Sequence, residues 1–217
     1  MKLEHSAPAG IERASMQIIA AELAQKGIEI PPENRAVVLR AIHASADFDY
    51  ADNLAFTPGA VQAGVAALQK GAAIVTDTNM ALAGLSKPSL AKLGAQAVCY
   101  MADAAVAAEA DRRATTRAAV SMERAMQEHP GAVVAVGNAP TALVRLTELM
   151  QQGARPALVV AVPVGFVNVV ESKELLEETC RRLGVPCILA RGRKGGSTVA
   201  AALCNALLYT AVPRQGM

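Results

Sequence analysis

The sequence predicts an α/β fold, Rossmann-like, with a mostly parallel sheet, helices on both faces and an N-terminal helical extension. Three observations carry this prediction. The apolar runs at 98–101, 132–136, 157–162 and 187–190 are short, rich in β-branched residues and uninterrupted, as strands buried on both faces must be. A helical segment follows each of them. The turns leaving the strands are polar or rich in glycine, as the carboxyl edge of such a sheet requires where it holds a ligand.

The elements follow in order. Residues 11–26 read as an amphipathic helix with Ile11, Ala14, Ile18 and Ala21 on one face, ended by Gly27. Pro31-Pro32 start a second helix that runs to about Ala46. These two helices are expected to form an N-terminal subdomain that packs on the sheet or reaches beyond it. After Thr57-Pro58-Gly59 a helix over 60–69 leads through Gly71 into a short apolar run, 72–75. The later helices are expected at 103–113 continuing into 115–128, then at 141–152, 171–183 and 197–209. No linker, low-complexity tract or internal repeat divides the chain, so residues 1–217 read as a single domain.

Composition narrows the function. Apolar residues make up 53% of the chain, mainly Ala, Val, Leu and Ile with no Trp, which argues against disorder. A net charge of +2, with no basic stretch interleaved with aromatics, argues against a nucleic-acid binder. Positive charge gathers instead at Arg112-Arg113 with Arg117, and at Arg191, Arg193 and Lys194, which suits a compact anion. The cysteines Cys99, Cys180, Cys187 and Cys204 form no Cys-x-x-Cys pair and read as small buried hydrophobes. The uncharged stretches at 156–170 and 195–212 fall short of the roughly 20 residues of a membrane span, so no membrane partner is expected. Without a signal pattern at the N-terminus, a cytoplasmic location is expected.

The basic turn at 191–198 carries the sharpest local signal. Its glycines allow close approach of the backbone, and Ser197 or Thr198 is placed to cap the next helix. Free amides at that helix start, with Arg191, Arg193 and Lys194 beside them, would take a carboxylate or a phosphate. The other reading is a solvated basic turn with a good cap. It is not a P-loop, because Gly196 rather than a lysine precedes Ser197, and no Gly-x-Gly-x-x-Gly follows a strand. Gly137-Asn138-Ala139-Pro140-Thr141 forms a second such turn, either a simple cap or a site where Asn138 donates to a ligand. Asp77 after the 72–75 run reads as a helix cap ahead of a ligand contact. Arg117 stands early in a helix, where the dipole gives a cation nothing, so it is either a surface residue or one held for a ligand.

His43 stands out among the three histidines, because it ends an apolar helix ahead of Asp47 and Asp49 in a context both buried and polar. Histidine alone titrates near neutrality without help, so it can give or take a proton. His43 and Asp47 have i, i+4 spacing, so a metal site can be drawn, but no third strong ligand stands nearby and no metal is expected. A core histidine satisfied by a carboxylate and a catalytic one both remain open on spacing.

Taken together, several segments resemble the precorrin-8X methylmutase (cobalt-precorrin-8 methylmutase) family of cobalamin biosynthesis. They are Ile11-Glu12 with Ser15 and Ile18-Ile19, Ile42-His43-Ala44-Ser45-Ala46-Asp47, Gly71 with Asp77, and Thr116-Arg117. Gly137–Thr141 continues the series, as do Gly165-Phe166-Val167 with Glu171-Ser172-Lys173-Glu174, and the run from Arg191 to Ser197. The resemblance covers nearly the whole chain. Ser45 stands where the family more often has Thr, and Asn168-Val169-Val170 replaces smaller residues.

The resemblance implies an isomerase that moves a methyl group from carbon 11 to carbon 12 of precorrin-8X, or its cobalt form, by a 1,5-sigmatropic shift. The product would be hydrogenobyrinic or cobyrinic acid, with His43 as proton donor and acceptor and no cofactor. It implies that Ser15, Arg117, Asn138, Thr141, Arg191, Lys194, Gly195, Gly196 and Ser197 bind the tetrapyrrole, whose acetate and propionate arms match the anion sites. It also implies a homodimer with the site near the interface, in which the almost uncharged last helix lies either in the core or between subunits. Two competing readings are a non-catalytic tetrapyrrole carrier and a metal-dependent hydrolase built on His43, Asp47 and Asp49.

Overall fold

The computed structural model describes residues 8–212. The chain begins with α1 (Pro8–Gln25), α2 (Arg35–Ser45) and a single turn, α3 (Tyr50–Asn53), before β1 (Leu54–Phe56). α4 (Ala60–Gln69) leads to β2 (Ile74–Thr76), two short helices, α5 (Asn79–Ala83) and α6 (Lys87–Leu93), and β3 (Ala97–Val98). Then come α7 (Ala104–Arg112), α8 (Arg117–Glu128) and β4 (Val133–Val136), followed by α9 (Pro140–Gln151) and β5 (Leu158–Ala161). α10 (Val169–Leu183), β6 (Cys187–Ala190) and α11 (Ser197–Ala211) complete the order.

The strands form one sheet in the order β1-β6-β5-β4-β2-β3. All neighbours are parallel except β1, which runs antiparallel to β6 at the edge. Side chains alternate between the faces along each strand. Val133, Ala135, Leu158, Val160 and Ile188 enter the core beneath α4 and α11, whereas Val134, Val136, Val159, Ala161 and Leu189 pack under α8, α9 and α10. Each valine or leucine buried this way stabilises the fold by about 1.5–3 kcal/mol, which is why both faces must be covered.

Several boundaries differ from the sequence reading, for physical reasons. α1 turns Ile19 and Leu23 inward and leaves Ile11, Ala14, Ile18 and Ala21 exposed. This alanine-rich helix carries apolar residues around much of its circumference, so periodicity alone admits more than one buried face. α2 starts at Arg35, after a turn, and buries Val37, Val38, Ala41 and Ile42 against α11 in the same core as the sheet. Of the two N-terminal helices, α2 is thus part of the layer on the sheet, and α1 packs on α2 and adds Ile19 and Leu23 to the same core. The helix expected to run through 103–128 is two helices, broken at Ala114, whose φ is 48°. Asp103 caps the first by accepting the Ala105 amide at 2.8 Å, and Thr116 Oγ1 caps the second by accepting the Ala119 amide at 3.2 Å. α11 lies in the core, with its apolar positions from Val199 to Ala211 buried against α2, α4 and the sheet. Cys180, Cys187 and Cys204 are buried thiols, while Cys99 is half-buried. Among the described residues, no helix is long and apolar enough to cross a membrane.

Candidate active site

The chain leaves β2 towards β3 on one side and leaves β4 towards β5 and β6 on the other, so the sheet's switch point lies between β2 and β4. Parallel sheets place their ligand crevice beyond the strand ends at this point. Here the crevice is filled from within. Asp77, 1% exposed, accepts the amides of Gly137 at 2.8 Å, Asn138 at 2.8 Å and Ala139 at 2.7 Å. Burial pushes its carboxyl pKa up, and the three amide bonds oppose that shift. Asp77 is thus a brace between two turns rather than the helix cap its position suggested, since Thr78 caps α5 and no side chain caps α9.

The turn after β6 is built differently. Gly196 is the residue preceding α11, and no side chain caps that helix, so Ser197 and Thr198 do not act as the expected cap. Instead Thr78 Oγ1 donates to Ser197 Oγ at 2.8 Å, tying α11 to the start of α5. The glycines bring backbones together. Gly196 donates its amide to Val162 O at 2.8 Å, and a Cβ on Gly195, at φ 154°, would lie 2.0 Å from that same oxygen. A Cβ on Gly137 would come within 2.8 Å of Ser197 Cα, so the turns after β4, β5 and β6 touch.

Two of this turn's three cations, Arg191 and Lys194, point to opposite faces of the sheet, while Arg193 lies over the Phe166 ring at 5.3 Å. Arg191 turns to Glu177 on α10, with N–O distances of 3.0 and 3.2 Å. Lys194 reaches the other way and donates to Asp47 Oδ2 and Asp49 Oδ2, both at 2.6 Å, just beyond the end of α2. The Lys194 hydrogen bond holds the Asp47 carboxyl below its ordinary value. Both aspartates serve Lys194, so they are not poised to join His43 around a metal. Beneath the turn, the buried Lys173 Nζ donates to Gly192 O and Lys194 O, both at 2.8 Å.

His43 occupies the last turn of α2 and is exposed, not buried as its context suggested. It lines an open cleft of about 380 Å³, within the range of small-molecule sites. α2 contributes Arg40, His43 and Ala44, α5 and its end contribute Met80 and Gly84, and α11 contributes Thr198, Ala201, Ala202, Asn205 and Tyr209. The small residues make the room: a Cβ on Gly84 would lie 2.9 Å from that of Ala201. Arg40 stacks over the Tyr209 ring at 5.0 Å and pairs with Glu12 of α1 at 2.7 Å.

The remaining expected residues fall in two places. Arg117 is the first residue of α8, and Thr116 Oγ1 donates to Thr141 Oγ1 at 3.0 Å, so Arg117, Asn138 and Thr141 lie exposed along the same carboxyl edge. Ser15 lies on α1, where its hydroxyl donates to Ile11 O at 2.9 Å, and it is not among the residues lining the cleft, which α1 meets through the Glu12–Arg40 pair. Arg40, Met80, Asn205 and Tyr209 line the cleft without having been singled out in the sequence; Lys173, outside the cleft, was noted only within the Glu171–Glu174 motif, with no sign of its contact to the turn. Arg40 carried a usable signal, one turn before His43 on the same helix face.

The precorrin-8X methylmutase family model matches residues 10–210 of the chain. The cobalt-precorrin-8 methylmutase of Priestia megaterium is 43% identical over 201 residues, covering 92% of this chain and 87% of that protein. The precorrin-8X methylmutase of Pseudomonas aeruginosa is 43% identical over 198 residues, covering 91% and 93%. The crystal structure of the Thermus thermophilus precorrin-8x methyl mutase superposes with a TM-score of 0.86 at 44% identity, covering 93% of this chain and 95% of that one. With the family matched over nearly its full length, and the same fold in a solved relative, the chain belongs to the precorrin-8X methylmutase family of isomerases.

Proposed function

We propose that this single-domain chain, residues 1–217, catalyses the methyl shift of cobalamin biosynthesis. It would move a methyl group from carbon 11 to carbon 12 of precorrin-8X, or its cobalt form, and release hydrogenobyrinic or cobyrinic acid. The observation that carries the reading is His43 itself, exposed at the end of α2 and lining an open cleft that combines small apolar residues (Ala44, Gly84, Ala201, Ala202) with the polar Arg40, Thr198, Asn205 and Tyr209. An imidazolium there sits at the negative end of the helix dipole. Proton donation to the macrocycle draws electron density away from the ring as the methyl migrates. The proton returns to His43 when the conjugated corrin forms. The methyl keeps its bonding electrons throughout, so the step needs no redox partner.

The substrate's shape fits the surroundings. Ala44, Ala201 and Ala202 offer a flat apolar wall, and Met80 is 68% exposed at its edge. Lys194 and the amides of Gly195 and Ser197 take carboxylate arms near His43 through charge-assisted bonds, with Gly196, whose own amide is given to Val162 O, letting the arms approach the backbone closely. Arg117, Asn138 and Thr141 take arms farther along the edge, with Arg191 and Ser15 at the margins. A homodimer that closes over this edge and a cytoplasmic location complete the reading.

The test is His43→Ala with precorrin-8X, followed by the rise of corrin absorption. General-acid help of this kind is worth about 10²–10⁴ in rate, and kcat should fall by that much. Turnover at the wild-type rate would remove His43 from the chemistry. Tight tetrapyrrole binding with no corrin formed by the wild-type protein would make it a carrier.

A further inference from the structure

Lys173 has no role in the reaction as described. It stands in the second turn of α10, 2% exposed, among the most buried large side chains of the protein. Its ammonium meets two neutral acceptors, Gly192 O and Lys194 O, each at 2.8 Å, and no carboxylate among the described residues. The nearest acid along its own helix face, Glu177, is engaged by Arg181 and Arg191. An ammonium removed from water without a counter-ion is expensive, and an apolar side chain of similar length would fill the space without that cost. Burial accordingly lowers the Lys173 pKa to about 8. What this lysine supplies, and an apolar residue would not, is a pair of donors aimed at the turn after β6.

That turn is held along its length: Asn53 binds the Arg191 backbone, the Gly165 amide donates to Arg193 O, and Thr78 bonds Ser197. Three further grips surround Lys194. Gly196 is seated on Val162 O, the Lys194 side chain is held by Asp47 and Asp49, and the Lys194 carbonyl is held by Lys173. We propose that Lys173 is a positioning residue for substrate binding: by fixing the Gly192 and Lys194 carbonyls it presents the Lys194 ammonium and the first-turn amides of α11 in one arrangement. This rests on the reading of that turn as the site for the tetrapyrrole's carboxylates.

The test compares the wild-type chain with Lys173→Met, which keeps the volume, and Lys173→Gln, which keeps an N–H donor. Amide hydrogen exchange is followed without ligand, and KM and kcat are measured with precorrin-8X. In Lys173→Met, exchange over residues 192–198 should quicken by about tenfold while β4 and β5 stay protected. KM should rise by about tenfold with kcat within about twofold, because His43 stands on α2, out of contact with Lys173. Lys173→Gln should recover part of both effects. Unchanged exchange in Lys173→Met overturns the inference whatever happens to turnover. A fall in kcat with KM unmoved, or failure of both variants to fold, also overturns it by making Lys173 a core residue only. Faster exchange of the turn with no turnover by any of the three chains upholds the positioning role and rejects the methylmutase reading.

Discussion

Two turns at the carboxyl edge of the sheet look alike in sequence and are completed in opposite ways. The turn after β4 and the turn after β6 each bring glycine and backbone amides to the start of a long helix. In the first, a buried carboxylate takes the amides of residues 137–139, so its anion-binding capacity is spent inside the fold. In the second, no side chain caps the helix, and the cation Lys194 is held by acids at the surface. Exposed ion pairs contribute about 0–1 kcal/mol, so a ligand carboxylate can exchange with Asp47 and Asp49 at little cost. A buried carboxylate with three donors cannot be exchanged in this way. Glycine and a helix start therefore define an anion site only where the protein's own carboxylates stay out of it.

The sharpest break in this comparison is Asp77→Ala. It leaves buried amides without an acceptor, and the expected loss is on the order of 3–5 kcal/mol in denaturant unfolding, with Asp77→Asn recovering part. The variant also converts the first turn into the second. Added phosphate should stabilise Asp77→Ala and leave the wild-type protein's stability at this turn unchanged. If phosphate stabilises both equally, the site it fills lies elsewhere, and the contrast between the turns loses its basis.

Gly195→Ala attacks the other turn. The new Cβ would meet Val162 O at 2.0 Å, a backbone atom that no rotamer change can move aside. Overpacking of this kind costs about 1–3 kcal/mol, and here the shift falls on the turn itself. Melting temperature should drop less than in Asp77→Ala, while KM for the tetrapyrrole rises. A variant that loses stability but keeps its KM would separate the turn from substrate binding.

Legibility followed the range of the interactions involved. The central strands β4, β5 and β6 could be read because double burial forces an uninterrupted apolar run. β1 could not: three residues, paired only with β6 at the edge, leave too little pattern. The short helices α5 and α6 were missed for the same reason, and the break at Ala114 because helix-forming residues continue on both sides of it. In the site, His43 and the glycine turn stood out because their chemistry is local. The partners of the cations did not. Lys194 meets Asp47 and Asp49 across a separation of 147 and 145 residues, a pairing set by how α2 packs on α11. Asp77 falls between, since its acid after a strand suggested a cap but gave no sign of which amides it would accept.

The smallest expected effect belongs to Asp47→Asn, and its smallness is the point. The Lys194 hydrogen bond holds the Asp47 carboxyl below its unfolded value near 3.8. A depressed carboxyl stabilises the fold above that unfolded value, and the contribution fades as pH falls through the lower folded one. Asp47→Asn should therefore cost less than about 1 kcal/mol at neutral pH, where Asp49 still holds Lys194, and it should erase part of the acid-side slope of stability. Melting temperatures of both chains between pH 6 and about 2, at low and high salt, measure this, and salt should shrink the difference. A loss above about 2 kcal/mol at neutral pH would place Asp47 with Asp77 as a fixed brace. Lys194 would then be locked to its acids, and the substrate's carboxylates would have to be met by the amides of α11 alone.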